Sequence, residues 1–140
     1  MPDAPLVPRL LVACATSDLT WVDSDVGAAR HLLLVDLSPT RKLSLVVDAP
    51  PEGDDPLAAR LAALAGVGVL FTTRLPEDWS LRLAAAGIFP VEVERPRRVD
   101  EILDQLRRLM VADPPLWLCR VLRYQPPRDD HPWSTPDAGA

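Results

Sequence analysis

Residues Leu10 to Val35 read LLVACATSDLTWVDSDVGAARHLLLV, and the order of apolar and polar stretches here decides the fold. Leu10 to Ala15 is apolar without a break, so a strand here has both faces covered. It opens into Thr16-Ser17-Asp18, followed by a loop through Trp21, Val22, Asp23 and Asp25 to Gly27. A second apolar run, Leu32 to Val35, then opens strand two, Leu32 to Leu37, and carries the chain back. A buried strand ending in small polar residues, a loop and a return strand commonly build a site at a sheet edge.

Outward from this stretch, Ser38-Pro39-Thr40-Arg41 predicts a turn, with Pro39 supplying its fixed φ. Leu43 to Asp48 is strand three, in a hairpin with strand two. Asp55-Pro56 signals a helix start, Leu57, Leu61 and Leu64 share one face, and Gly66 stops it. Val67 to Thr72 is strand four. Asp78 is placed to cap a second helix, closed by Gly87, and Ile88 to Val93 is strand five, with Pro90 favouring an edge position. Val99, Ile102, Leu103, Leu106 and Met110 form the stripe of a third helix. After Pro114-Pro115, Leu116 to Arg123 is a short helix returning Trp117 or Leu118 to the domain.

These elements predict a single α/β domain over residues 9–123, with a flexible arm at 1–8 and a disordered tail at 124–140. Two late β–α–β units require right-handed crossovers and parallel pairing. A five-stranded mixed sheet in the order 3-2-1-4-5, with strand two antiparallel, satisfies them.

The composition narrows the functional classes. The chain has 140 residues, 48% of them hydrophobic, enough for one real core. Its net charge of −5 repels phosphate backbones, and no basic patch stands out, so no nucleic-acid partner is expected. Two cysteines cannot frame a disulfide scaffold or supply four ligands to a cluster. The opening MPDAPLVPR is no signal peptide, and no run approaches the roughly 20 apolar residues of a membrane span. A cytoplasmic protein is expected.

Three stretches carry a family resemblance. The first is Val12 to Asp18 (VACATSD), followed by Val22-Asp23-Ser24-Asp25-Val26-Gly27-Ala28-Ala29. The others are Leu83 to Val91 (LAAAGIFPV) and Asp113 to Leu122 (DPPLWLCRVL). Together they resemble the NifX-like proteins of the dinitrogenase iron–molybdenum cofactor biosynthesis family. That resemblance implies a ribonuclease-H-like fold and a noncatalytic carrier or escort of an iron–sulfur-based nitrogenase cofactor or its precursor. It also implies nitrogenase cofactor assembly proteins as partners. Two departures are visible. The family's His-Phe is Asp25-Val26 here, and its Gly-rich turn after strand four is Leu75-Pro76-Glu77-Asp78-Trp79.

Catalytic signatures are missing. There is no phosphate-cradling G-x-x-x-x-G-K-[ST], no G-x-G-x-x-G after a strand, no zinc-type His pair and no recognisable serine triad. Asp18, Asp23 and Asp25 can mimic a nuclease carboxylate set, but the acidic surface opposes it, and no enzyme is expected.

In the expected sheet, strands one and four are parallel neighbours whose chains leave in different directions, which opens a crevice. The candidate pocket is Ser17, Asp18, Asp25, Gly27, Thr73 and Arg74, joined by Arg30. Asp25, at the family His position, and His31, at the start of strand two, are the candidate metal contacts. Each residue also has a plainer role: Asp18 caps its own turn, Arg74 is a surface charge, and Cys14 is core packing. Trp21 and Trp79 either wall the pocket or cover the core edge. A carrier leads these readings. A protein adaptor that kept the fold and lost the ligand, and a domain for an unidentified small molecule, are its rivals.

Overall fold

The computed structural model describes residues 9–48, 56–112 and 114–123. The expected Asp55 cap, the N-terminal arm and the C-terminal tail with His131 lie outside them. The elements are β1 (Leu10–Thr16), β2 (Trp21–Val22), β3 (His31–Leu37), β4 (Lys42–Asp48), α1 (Pro56–Ala63) and β5 (Val69–Thr72). They continue with α2 (Glu77–Ala85), β6 (Phe89–Glu92), β7 (Arg97–Arg98), α3 (Val99–Val111) and α4 (Leu116–Arg123).

Five strands form a mixed sheet in the order β4-β3-β1-β5-β6. β3 runs antiparallel to both β1 and β4, while β1, β5 and β6 are mutually parallel. β1 lies at the centre, and all seven of its residues are fully buried. Its unbroken apolar run follows from that position, since each face meets its own core.

Leu10, Val12 and Cys14 join Leu33, Val35, Leu37 and Phe71 on one face, covered by Ile102, Leu103 and Leu106 of α3 and Leu118 of α4. Leu11, Ala13 and Ala15 join Leu32, Leu34 and Leu70 on the other, under Leu64 beyond α1 and Leu83 of α2. The period of two thus sorts one strand into two cores. Each fully buried Leu contributes roughly 1.5–3 kcal/mol relative to exposure.

The α2 end shows how sequence stops an element. Gly87 adopts φ 80, and its N–H donates to the Ala84 carbonyl at 3.0 Å. The Ile88 N–H donates to the Leu83 carbonyl at 2.9 Å, so both orphan carbonyls are satisfied. The other end corrects an expectation. α2 starts at Glu77 after Pro76, with no side-chain cap, so Asp78 lies inside the first turn and only complements the helix dipole. Pro90 stands on edge strand β6, where its missing donor is tolerated.

A second, two-stranded sheet escaped the sequence reading. Trp21 pairs with Arg98 and Val22 with Arg97. The Val99 N–H donates to the Thr20 carbonyl at 2.9 Å, so the loop after β1 is anchored to the start of α3.

Candidate functional site

The carboxyl ends of β1, β4, β5 and β6 and the amino end of β3 share one edge of the sheet, as the pairing directions require. Loops leaving β1 and β5 there depart on separate paths, the arrangement in which α/β sheets open a crevice.

The first part of the loop after β1 closes on itself. The Asp18 carboxylate accepts the Thr20 and Trp21 N–H groups at 2.9 and 3.0 Å and the Thr16 hydroxyl at 3.4 Å. Thr16 Oγ1 in turn accepts the Leu19 N–H at 2.9 Å. These bonds hold Leu19 at φ 67, a conformation that side chains other than Gly rarely adopt. The backbone N–H of Trp21, then that of Thr20, lowers the Asp18 pKa below its ordinary value. Asp23 is similarly committed. It accepts the Ser17 N–H at 2.9 Å, the Ser17 hydroxyl at 2.6 Å and the Ser24 hydroxyl at 2.9 Å.

The second part binds to β5. The Val26 N–H donates to the buried Thr72 Oγ1 at 2.9 Å, and the Thr73 N–H donates to the Ser24 carbonyl at 3.0 Å. Thr72 donates onward to the Arg74 carbonyl at 3.0 Å. Ser17, Asp18, Asp25, Gly27 and Thr73 therefore do belong to two loops in contact at one edge. Arg30 and Arg74 are exposed there. A Cβ placed on Gly27 would sit 3.5 Å from the Trp79 ring, an ordinary contact, so Trp79 flanks this turn.

The two candidate metal contacts are each engaged elsewhere. Asp25 Oδ1 accepts the Ala28 N–H at 2.8 Å, closing the Asp25–Ala28 turn. His31 Nδ1 lies 2.8 Å from Asp48 Oδ1 across the β3–β4 pair. No group of three or more His, Cys, Asp or Glu able to hold a metal ion exists among the described residues.

Arg60 of α1 was missed. It is 2% exposed, and one Nη2 donates to the Ala29 carbonyl. Its Nε and Nη1 are buried with no hydrogen-bond partner among the described residues. Burial lowers its pKa, and the Asp25 carboxylate opposes that shift. The signal was present in the sequence. Arg60 falls three residues after Leu57 and four before Leu64, on the apolar stripe where a charge is unexpected. Buried guanidinium N–H groups of this kind call for an acceptor.

Cys14, by contrast, is core. Burial pushes its thiol up to about 12, and it has neither exposure nor a basic neighbour to activate it. No helix among the described residues is long and apolar enough to cross a membrane.

Comparison with known proteins places this geometry. Residues 8–109 match the model of the dinitrogenase iron-molybdenum cofactor family. Protein NifX of Sinorhizobium fredii (strain NBRC 101917 / NGR234) is 26% identical over 139 residues, covering 91% of this chain and 87% of that one. Protein NifY of Azotobacter vinelandii is 28% identical over 118 residues, covering 82% of this chain and 49% of its own length. The crystal structure of PH0822 aligns over 71% of this chain and 91% of that one, with a TM-score of 0.58 and 17% identity, a likeness of fold alone. With residues 8–109 of its 140 under the family model, the chain belongs to the dinitrogenase iron-molybdenum cofactor family.

Proposed function

We propose that this protein is a noncatalytic carrier or assembly accessory for the iron–molybdenum cofactor of nitrogenase or its iron–sulfur precursor. The cargo docks at the sheet edge between the loop after β1 and the loop after β5. Family membership and the NifX and NifY relatives support the biosynthetic setting. The carrying observation is Arg60, a buried cation beneath the Asp25–Ala29 turn whose Nε and Nη1 have no hydrogen-bond partner among the described residues. A cluster cargo is anionic, so this guanidinium gives it a counter-charge that Asp25 would otherwise deny it. Asp25 and His31 are the first side chains to reach metal, once they release Ala28 and Asp48. Ser17, Asp18, Gly27, Arg30, Thr73 and Arg74 form the rim. Partners are the proteins that assemble and receive the cofactor. The strand order, with β3 antiparallel, supports a ribonuclease-H-like reading of the fold.

The adaptor reading rests on one observation: both candidate metal contacts are already hydrogen-bonded within the protein. Anaerobic titration with extracted iron–molybdenum cofactor separates the two. A carrier retains iron and visible absorbance through gel filtration, retains more of both as Asp25→His, and loses them as Arg60→Met. A chain that stays colourless in all three forms, yet captures an assembly protein, is an adaptor.

A further inference from the structure

β4 is the long edge of the sheet, and among the described residues no strand pairs with its outer side. Six of its seven residues are exposed and Val47 is half-buried. Leu43, Leu45 and Val46 are 47%, 38% and 40% exposed, an unusual load of apolar surface for an open edge. β6, the opposite edge, is short, carries Pro90, and has Phe89 stacked on Trp117 at 4.8 Å. Among the described residues nothing comparable blunts β4.

The sequence of β4, Lys42-Leu43-Ser44-Leu45-Val46-Val47-Asp48, is complementary to itself when reversed. We propose that β4 pairs antiparallel with β4 of a second copy, joining two five-stranded sheets about a two-fold axis through Leu45. This register sets Lys42 of each copy opposite Asp48 of the other, Leu43 opposite Val47, Ser44 opposite Val46, and Leu45 opposite Leu45. Apolar residues meet apolar or small ones, and both charge pairs are of opposite sign.

Alternatives are poorer. A two-fold perpendicular to the sheet keeps each face on its own side, so symmetric registers shift in steps of two. Shifting either way sets Lys42 or Asp48 opposite Val46 or Ser44 and loses both charge pairs. Parallel in-register pairing stacks Lys42 on Lys42 and Asp48 on Asp48. Existing contacts are compatible with the dimer. Lys42 Nζ lies 3.8 Å from Asp100, and Asp48 faces His31, both within one copy. Because the strands oppose, the two candidate cargo sites point to opposite ends of the joined sheet and stay open.

The test is sedimentation equilibrium of the full chain with crosslinking. Wild type is expected as a reversible dimer. Leu45→Lys juxtaposes like charges on the axis and weakens association about a hundredfold with circular dichroism unchanged. Lys42→Glu and Asp48→Lys each weaken it, and the double variant recovers it. Leu45→Cys, in a Cys119→Ser background, forms an intermolecular disulfide on mild oxidation, while Leu43→Cys, off the axis, does not. A wild type that is monomeric at every accessible concentration overturns the proposal. So does a dimer indifferent to Leu45→Lys, which places the interface elsewhere.

Discussion

The two halves of the loop after β1 spend their polar groups differently. From Thr16 to Asp23, both carboxylates are consumed by nearby backbone and hydroxyl donors, and the segment is a self-contained turn. From Ser24 to Ala29, the loop leans on Thr72 of a distant strand and Thr73 just beyond it, and roofs a cation whose donors are only partly used among the described residues. The first half is a finished structural device. The second leaves buried donors unmatched among the described residues, and the proposed cargo site rests on that difference.

Thr72→Val breaks the distinction most severely. It keeps the shape but strands the Val26 N–H, costing about 2 kcal/mol, and it loosens only the second half. Thermal unfolding gives the loss, and faster amide exchange at Val26 with unchanged exchange at Leu19 gives its location. Arg60→Met follows. Removing a poorly satisfied buried charge while keeping volume leaves stability within about 1 kcal/mol of wild type, although cargo retention fails. A large destabilisation would instead mark Arg60 as structural.

The pH dependence isolates the first half. Asp18 has a folded pKa below its ordinary value of 3.8, so its contribution is complete above that value and disappears as pH falls through the depressed one. Asp18→Asn therefore has a shallower acid limb than wild type in pH-dependent unfolding. Gly27→Ala has the smallest effect on the fold. The added methyl meets the Trp79 ring at ordinary contact distance, so the melting temperature is expected to hold. Any loss of cargo in that variant then reports close approach of a ligand to this turn.

The fold was largely legible because burial writes itself into sequence. The unbroken Leu10–Ala15 run, the glycines at 66 and 87 and the stripe of α3 all follow from local physics. The β2–β7 sheet was not legible, because two-residue strands have no periodicity and their pairing spans most of the chain. Asp78 misled because a capping residue type is only a signal, and Pro76 set the start of α2 instead. At the candidate site, the loop residues were recognisable from their motif. Asp18 was legible as the cap of its own turn, but the hydrogen bonds that commit Asp23 were not, since they depend on how the loop folds back on Ser17. Arg60 was visible as a charge on an apolar stripe, but its place beneath the loop required the assembled fold.

The most direct test is anaerobic iron and molybdenum analysis of the protein isolated from a nitrogen-fixing host, beside Asp25→His and Arg60→Met. Iron is expected in the wild type, more in Asp25→His and none in Arg60→Met. Metal-free protein in all three, correctly folded, would contradict a cargo site at this edge.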